Sequence, residues 1–333
     1  MGTKQLIIGV DGGGTKSHLA VFSEAGECVG AARCGPLNHE CFEDSFQGLE
    51  AALREFILSA LRDAGASVTD VRYALFGIAG VDTKEQHTVI SGILTRIGLP
   101  SFTLCNDAFL GIAAGCPEGT GICAVNGTGS VMAGVDGSGA SLQVGGIGSL
   151  SDDRGGSGWY GSQVLKAVYR ELYKHAKKTV LTPAMLTLIG SAGEDDYMET
   201  LTTAVNSETL NRDGLNRLVF MAADAGDEVA LDILKASAEH YAGGIAYLAQ
   251  KLDFPKSETL TIAFVGSVFV KERVKILPRL VETAFRAILP DRPAVFLNLE
   301  TVPVAGAVLW AAKIAGISLG MERIKPALEG LLR

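Results

Sequence analysis

The feature that most constrains the fold is a glycine-rich hairpin pattern that occurs twice in the chain. The first copy covers residues 6–23, with the sequence LIIGVDGGGTKSHLAVFS, and the second covers residues 121–139, with the sequence GICAVNGTGSVMAGVDGSG. In both copies a strand-like apolar run ends at Asp11 or Asn126, and a glycine turn leads into a second strand-like run. This repetition indicates two related domains that face each other across a cleft.

Glycine turns of this kind are suited to phosphate binding, because backbone N–H groups without neighbouring Cβ atoms can approach phosphate oxygens closely. The residues expected to donate backbone N–H or hydroxyl groups are Gly13, Gly14, Thr15, Gly127, Thr128 and Gly129. Lys16 could add positive charge, although a lysine beside a hairpin is often solvated. The pattern is not a Walker A loop, since Thr15 follows Gly14 and no long helix follows the strand. A single glycine turn can be a plain hairpin, and the second copy favours the phosphate interpretation.

Asp11, which lies beside the first turn, is the predicted metal ligand. Magnesium typically binds through one or two carboxylates together with substrate phosphates. The alternative is an aspartate that only stabilises the turn. The pairing of two hairpins favours a magnesium site in which Asp11 acts through water.

The rest of the chain alternates between helical and strand-like patterns, which predicts α/β layers with ligands in a cleft at the strand ends. Strands are predicted at 73–78, 102–105 and 260–265, and helices at 43–64, 87–97, 161–178, 215–225, 228–252, 274–288 and 304–314. A first domain is expected over residues 1–116, and a second domain with a helical insertion over residues 117–317. A helix at about 318–333 is expected to return to the first domain.

Charge and composition narrow the class of partner. The 333-residue chain has a net charge of −8 and no run of lysine or arginine, so neither nucleic acid nor an anionic membrane is expected to bind it. Its longest apolar stretches are too short to span a bilayer, and its N-terminus lacks a signal-peptide pattern. The six cysteines include no C-x-x-C pair, which favours reduced structural thiols. These properties predict a cytoplasmic enzyme.

The motifs resemble those of the N-acetylglucosamine kinase and BadF/BadG/BcrA/BcrD-type ATPase family, within the actin-like ATPase (sugar kinase) superfamily. DGGGTKS at 11–17 and NGTGS at 126–130 are similar to the two phosphate motifs of this family, and FVGSVF at 264–269 is similar to its adenosine motif. The resemblance implies two actin-like (ribonuclease H-like) domains around a nucleotide cleft, ATP and Mg²⁺ as cofactors, and a homodimer. It also places Gly266 and Ser267 beside the nucleotide.

Asp107 is the catalytic residue that this resemblance implies, since Asn106-Asp107-Ala108 is similar to the segment carrying the catalytic aspartate of the family. Its role would be to receive the proton of the sugar hydroxyl. Position alone favours a different role, the N-cap of the helix-compatible run that follows, because Asx residues often cap helices. Both roles can coexist.

Sugar recognition is also implied by resemblance, and the residues concerned are Asn38, His39, Gly80, Asp82, Asp107, Gly145 and Asp153. Asn38 belongs to a loop, GPLNH at 35–39, that resembles the sugar-contacting Asn-His loop of the family, although a loop asparagine is often only a turn residue. Residues 145–161 match the family pattern in part, with Ile147 in place of Trp, Asp152 in place of Gly and Arg154 in place of Glu. Asp152 is therefore an alternative to Asp153. If Arg154 faces the pocket, it suits an acidic sugar such as N-acetylmuramic acid.

Two functions from different classes fit these residues. The first is an ATP-dependent kinase that phosphorylates a hydroxyl, expected to be the 6-hydroxyl, of N-acetylglucosamine or a related cell-wall sugar such as N-acetylmuramic acid or glucosamine. The second is an activator ATPase that couples ATP hydrolysis to a partner redox enzyme. The fold cannot choose between them. The Asn38-His39 loop and the spacing of the cysteines favour the kinase.

Overall fold

The computed structural model describes residues 5–210, 212–270, 275–299 and 301–329. Its first sheet has five strands in the order β3-β2-β1-β4-β5. These strands are β1 (Leu6–Gly12), β2 (Ser17–Ser23), β3 (Cys28–Cys34), β4 (Val71–Ile78) and β5 (Phe102–Cys105). The pairs β1–β2 and β2–β3 are antiparallel, whereas β1–β4 and β4–β5 are parallel.

The second sheet repeats this arrangement, with five strands in the order β10-β9-β6-β7-β8. These strands are β6 (Gly121–Asn126), β7 (Ser130–Val135), β8 (Ser141–Gly145), β9 (Leu260–Val265) and β10 (Ala294–Asn298). Again three strands form an antiparallel meander, and the first of them pairs in parallel with β9, which pairs in parallel with β10. The internal repeat and the α/β fold class with two similar units are confirmed.

Helices cover the faces of both sheets. They are α1 (Phe46–Asp63), α2 (Lys84–Ile97), α3 (Ala108–Gly115), α4 (Ser157–Lys174), α5 (Leu181–Ile189), α6 (Glu194–Asn206), α7 (Asn216–Asp224), α8 (Glu228–Lys251), α9 (Ser267–Val270), α10 (Ile276–Ile288), α11 (Val304–Ile314) and α12 (Met321–Glu329). Helices α1 and α2 bury their apolar faces against the first sheet, and α4, α7, α8 and α10 bury theirs against the second.

Two helices each pack against the sheet of the other half of the chain. Helix α3 follows the first sheet in the chain but packs on β6, β7 and β9, while α11 follows the second sheet but packs on β1 and β4. The two helices cross so closely that a Cβ atom on Gly306 would lie 2.2 Å from the carbonyl oxygen of Leu110. Helix α12 contacts α11 and β3 of the first sheet. The predicted domain limits at 116/117 and 317 lie just beyond these crossing helices, and they stay predictions.

Several element limits agree with the sequence patterns and others do not. Strands 102–105 and 260–265 and helix 304–314 have the predicted limits, whereas the helix predicted at 161–178 lies at Ser157–Lys174. Strands β3, β8 and β10 and helices α5 and α6 were not predicted. Residue 274, the predicted start of another helix, lies outside the described residues. Within the part of the chain that is described, no helix combines the length and apolarity needed to cross a membrane.

Candidate functional site

The two glycine hairpins contact each other. The β1–β2 turn carries Thr15 and the β6–β7 turn carries Thr128, and their Oγ1 atoms are 2.7 Å apart. A Cβ atom on Gly14 would lie 3.8 Å from Thr128. The structure thus brings together the six turn residues for which phosphate contacts are predicted. Lys16 is exposed beside them and forms no ion pair with any described residue.

Asn126, at the end of β6, anchors the second hairpin to the start of α4. Its buried side chain accepts a hydrogen bond from the Gly156 N–H at 2.8 Å and donates to the Tyr160 hydroxyl at 3.1 Å. The N–H of Ser157 donates to the Gly127 carbonyl at 2.8 Å. Because these groups are shielded from water, the bonds hold the turn in one position relative to α4.

We expect Asn126→Ala to destabilise the protein by about 1–3 kcal/mol, because it leaves the buried Gly156 N–H without its acceptor and removes one hydrogen bond of the Tyr160 hydroxyl, which keeps its bond to Ser237. Chemical denaturation measures the change. Ser162→Ala, at an exposed position of α4, is the control and should cost less than about 1 kcal/mol. Equal costs for both variants would contradict the anchoring role.

Gly266 and Ser267 lie where β9 passes into α9, against the second hairpin. A Cβ atom on Gly266 would lie only 2.4 Å from the Asn126 carbonyl oxygen, and its backbone has a φ of +96°. Glycine is the residue that meets both demands without strain. The predicted adenosine segment is therefore in direct contact with a predicted phosphate turn.

Three carboxylates from the first sheet face this region: Asp11 near the end of β1, Asp82 after β4, and Asp107 after β5. Strands β1, β4 and β5 are neighbours and run parallel, so their carboxyl ends lie at the same edge of the sheet. Burial, followed by the charges of Asp11 and Asp82, raises the pKa of Asp107 to about 7. The half-buried Asp107 thus has the acidity expected of a base at neutral pH.

The N-cap alternative for Asp107 is only partly realised. Asp107 is the residue immediately before α3, but its side chain makes no capping hydrogen bond to the helix. Instead, Asn106 Oδ1 accepts the Ala108 N–H at 2.9 Å. Asn106 therefore caps the helix, and the Asp107 carboxylate is available for another purpose.

Asp11 is paired in register with His18 on β2. The Oδ2 atom of Asp11 lies 3.5 Å from Nδ1 of the buried His18, while the carboxylate itself is only partly buried. Among the described residues, no group of three or more His, Cys, Asp or Glu side chains could hold a metal by itself. This geometry fits Mg²⁺ bound through one carboxylate, water and phosphates, and it does not fit a protein-only metal cage.

The predicted sugar loop lies beside Asp82. Asn38 Oδ1 accepts the Glu40 N–H at 3.0 Å, so this side chain does serve as a local cap. His39 is buried and stacks on Phe46 with ring centroids 4.4 Å apart. Gly80 adjoins Asn38, since a Cβ atom there would lie 2.4 Å from Asn38 Oδ1. The structure therefore places Asn38, His39 and Gly80 together.

Asp153, and not Asp152, is the inward-facing carboxylate of its loop. Asp153 is 8% exposed and accepts the N–H groups of Gly146 and Gly148 at 3.0 and 2.9 Å. A Cβ atom on Gly145 would lie 2.7 Å from Asp153 Oδ1. The Asp152 side chain is 79% exposed and pairs with Arg154 at 2.9 Å. Burial therefore favours Asp153 over Asp152, and the Arg154 side chain pairs with the exposed Asp152.

Two residues of the site were missed by the sequence analysis. Gln143 Nε2 donates to Asp82 Oδ1 at 2.6 Å, and His240 Nε2 lies 3.4 Å from Ser130 Oγ and 3.9 Å from Asp153 Oδ1. Burial lowers the pKa of His240, which favours its neutral form. Neither residue lies in a recognisable motif, so the sequence carried no signal for them.

The chain is similar in sequence to a family of ATPases and to two sugar kinases. The model of the BadF/BadG/BcrA/BcrD ATPase family matches residues 8–311. The N-acetyl-D-glucosamine kinase of Dictyostelium discoideum is 27% identical over 321 residues, which cover 93% of this chain and 98% of that protein. The N-acetylmuramic acid/N-acetylglucosamine kinase of Clostridium acetobutylicum is 27% identical over 234 residues, covering 70% of this chain and 75% of that protein.

A solved structure shows the same fold. The protein from Chromobacterium violaceum, provisionally described as an N-acetylglucosamine kinase, aligns with 92% of this chain and 99% of its own, with a TM-score of 0.66 at 19% identity. The two-sheet architecture is therefore shared with known structures.

Proposed function

We propose that this chain, which belongs to the BadF/BadG/BcrA/BcrD ATPase family, is an ATP-dependent kinase that phosphorylates the 6-hydroxyl of an amino sugar. The acceptor is N-acetylglucosamine or a related cell-wall sugar, such as N-acetylmuramic acid or glucosamine. The observation that carries the proposal is the placement of Asp107 at the strand ends that it shares with Asp11, beside the first of two glycine turns that contact each other. The raised pKa of Asp107, about 7, is consistent with this role. The names of the relatives at 27% identity support the substrate class.

Asp107 acts as the base in this proposal. It accepts the proton of the attacking sugar hydroxyl, whose oxygen forms a bond to the γ-phosphorus of ATP as the bond to the leaving oxygen of ADP breaks. A base with a pKa near the working pH combines a useful ionised fraction with adequate strength. The negative charges of Asp11 and Asp82 stabilise the protonated form of Asp107 after the proton has been transferred.

The glycine turns hold the nucleotide. Backbone N–H groups of the turns after Gly12 and Asn126, together with the Thr15 and Thr128 hydroxyls, bind the phosphates, and Gly266 and Ser267 lie against the adenosine. Asp11 holds the Mg²⁺ ion through water. When bound, that ion neutralises charge on the phosphates.

The sugar is held by the residues around Asp82. Asn38 and His39 line one side of the acceptor site with Gly80, and Gly145 and Asp153 line the opposite side. An amide can donate to and accept from sugar hydroxyls, a neutral imidazole donates from one nitrogen and accepts at the other, and an ionised carboxylate accepts. We also propose that the protein is a cytoplasmic homodimer, and the resemblance to the family supports this proposal. Light scattering of the purified protein tests whether it is a dimer.

A panel of sugars tests the function. ADP release from Mg-ATP would be measured with N-acetylglucosamine, glucosamine, N-acetylmuramic acid, N-acetylmannosamine and glucose. Strong stimulation by an amino sugar supports the kinase and identifies its acceptor. A slow ATPase that is indifferent to every sugar would contradict it and favour the activator ATPase.

The rate should depend on pH through Asp107. Because the ionised form of Asp107 is the base, we expect kcat/KM, measured with both substrates dilute, to rise with pH and level off above about pH 7. Below that value kcat/KM should fall tenfold per pH unit, as the carboxylate becomes protonated. A pH profile that is flat between pH 5.5 and pH 8 would contradict this assignment.

A further inference from the structure

One hydrogen bond joins the two sheets at the sugar end of the cleft. Gln143 lies on β8 of the second sheet, and its amide Nε2 donates to Oδ1 of Asp82, which follows β4 of the first sheet, at 2.6 Å. Both side chains are partly buried. The contact is therefore a charge-assisted hydrogen bond that is shielded from bulk water, which makes it stronger than an exposed one.

The same Asp82 oxygen is linked to the segment that carries Asp107. Asn106 Nδ2 donates to Asp82 Oδ1 at 2.9 Å, and Asn106 Oδ1 accepts the first N–H of α3 at 2.9 Å. Two amide groups from different sheets thus converge on Oδ1. Among the described residues no donor bonds to Oδ2 of Asp82, which leaves that oxygen for a sugar hydroxyl.

The loop that carries Asp153 also packs against the Asp82 carboxylate. A Cβ atom on Gly146 would lie 2.8 Å from Asp82 Oδ1 and 3.1 Å from Gln143 Nε2. The N–H of Gly146 donates to Asp153 Oδ2 at 3.0 Å. The two candidate sugar-binding carboxylates, Asp82 and Asp153, are therefore both next to Gly146. Gln143 supplies one of the two donors to Asp82 Oδ1, and it is the donor that comes from the second sheet.

We propose that Gln143 is a substrate-positioning residue that holds the Asp82 carboxylate in a fixed orientation towards the sugar by a hydrogen bond from the other sheet. This inference rests on the proposed kinase function. An uncharged donor suits the position, because a lysine would neutralise Asp82 and a glutamate would repel it. Because Gln143 and Asp82 belong to different sheets, the bond couples the orientation of the Asp82 carboxylate to the position of the second sheet.

Kinetics give the first test. Gln143→Met keeps the length of the side chain but removes the donor, and we expect KM for the sugar to rise about 10- to 100-fold, the range for a hydrogen bond to a charged group. KM for ATP should stay within about threefold, because Gln143 is not part of the glycine turns. Gln163→Met on α4 is the matched control and should leave both constants unchanged. Equal KM values for the sugar in Gln143→Met and the wild-type protein would overturn the proposal.

Hydrogen–deuterium exchange of the free protein gives a second test that needs no substrate. Gln143→Glu places a carboxylate against Asp82, and we expect faster exchange at residues 79–83 and 143–148. The double variant Asp82→Asn/Gln143→Glu restores a donor and an acceptor in the reverse direction, and its exchange should be slower than that of Gln143→Glu. Failure of the double variant to slow the exchange would overturn the contact.

The two tests separate this inference from the proposed function. If no sugar is phosphorylated by the wild-type protein, the kinase proposal fails, and the exchange experiment still decides whether Gln143 joins the sheets. If sugar phosphorylation is normal but neither variant changes KM or exchange, the role of Gln143 fails while the kinase stands.

Discussion

Replacement of Asp107 by asparagine is expected to lower kcat for sugar phosphorylation by about 10²- to 10⁴-fold, the contribution of a positioned general base. Asparagine keeps the size and polarity of the side chain, so both substrates should still bind, with KM values within a few fold of the wild type. Steady-state kinetics with the acceptor sugar measure both constants. Retention of full turnover would remove Asp107 from the mechanism.

Stability provides the control for this variant. The pKa of Asp107 is raised from its ordinary value of 3.8 to about 7 in the folded protein, so the folded state binds the proton more tightly than the unfolded state. The carboxylate therefore costs stability as pH rises from about 4 to about 7, and that cost is complete above pH 7. We expect Asp107→Asn to have a Tm at or above that of the wild type at pH 8, and this difference should shrink towards pH 4. A lower Tm at pH 8 would indicate that lost turnover reflects damage to the fold.

Replacement of Gly266 by alanine is expected to weaken nucleotide use strongly. The added Cβ atom would lie 2.4 Å from the Asn126 carbonyl oxygen and 3.0 Å from the Gly127 nitrogen, both backbone atoms of the second hairpin. The hairpin must therefore move, and a displacement approaching 1 Å at a substrate-binding group can cost about 10²-fold. We expect kcat/KM for ATP to fall by about that factor.

Gly137→Ala is the matched control, because a Cβ atom there would contact nothing within 4 Å. It lies in the β7–β8 turn of the same sheet and should leave kcat/KM for ATP unchanged. Nucleotide affinity can be measured separately by calorimetry. Equal ATP affinity in Gly266→Ala and the wild type would contradict the placement of the nucleotide beside Gly266.

Local patterns predicted the parts of the fold that local forces determine. The buried runs at 102–105 and 260–265 are short, apolar and bounded, so their limits could be predicted from the sequence. The start of α4 could not, because tertiary hydrogen bonds from Gly156 and Ser157 to the second hairpin determine it. Strand β8 is short and alternates only weakly, and it forms because β7 offers an edge for pairing.

Some residues of the candidate site could likewise be predicted from local sequence patterns, and others could not. The glycine turns, Asp11 and Asp107 belong to contiguous motifs, and in the structure the two turns touch each other while Asp11 and Asp107 lie at the ends of strands of one sheet. Gln143 lies 61 residues from Asp82 and on the other sheet, so no local pattern could pair them. The preference for Asp153 over Asp152 also needed the loop conformation, since two adjacent aspartates differ only in which of them is buried.

The most direct test of the account is the identity of the phosphorylated product. Phosphorus NMR would follow the wild-type protein with Mg-ATP and the sugar that stimulates ADP release most strongly. The account predicts one amino-sugar 6-phosphate for each ADP, with little inorganic phosphate, and almost no product from Asp107→Asn. Inorganic phosphate formed at the same rate with and without sugar would contradict it.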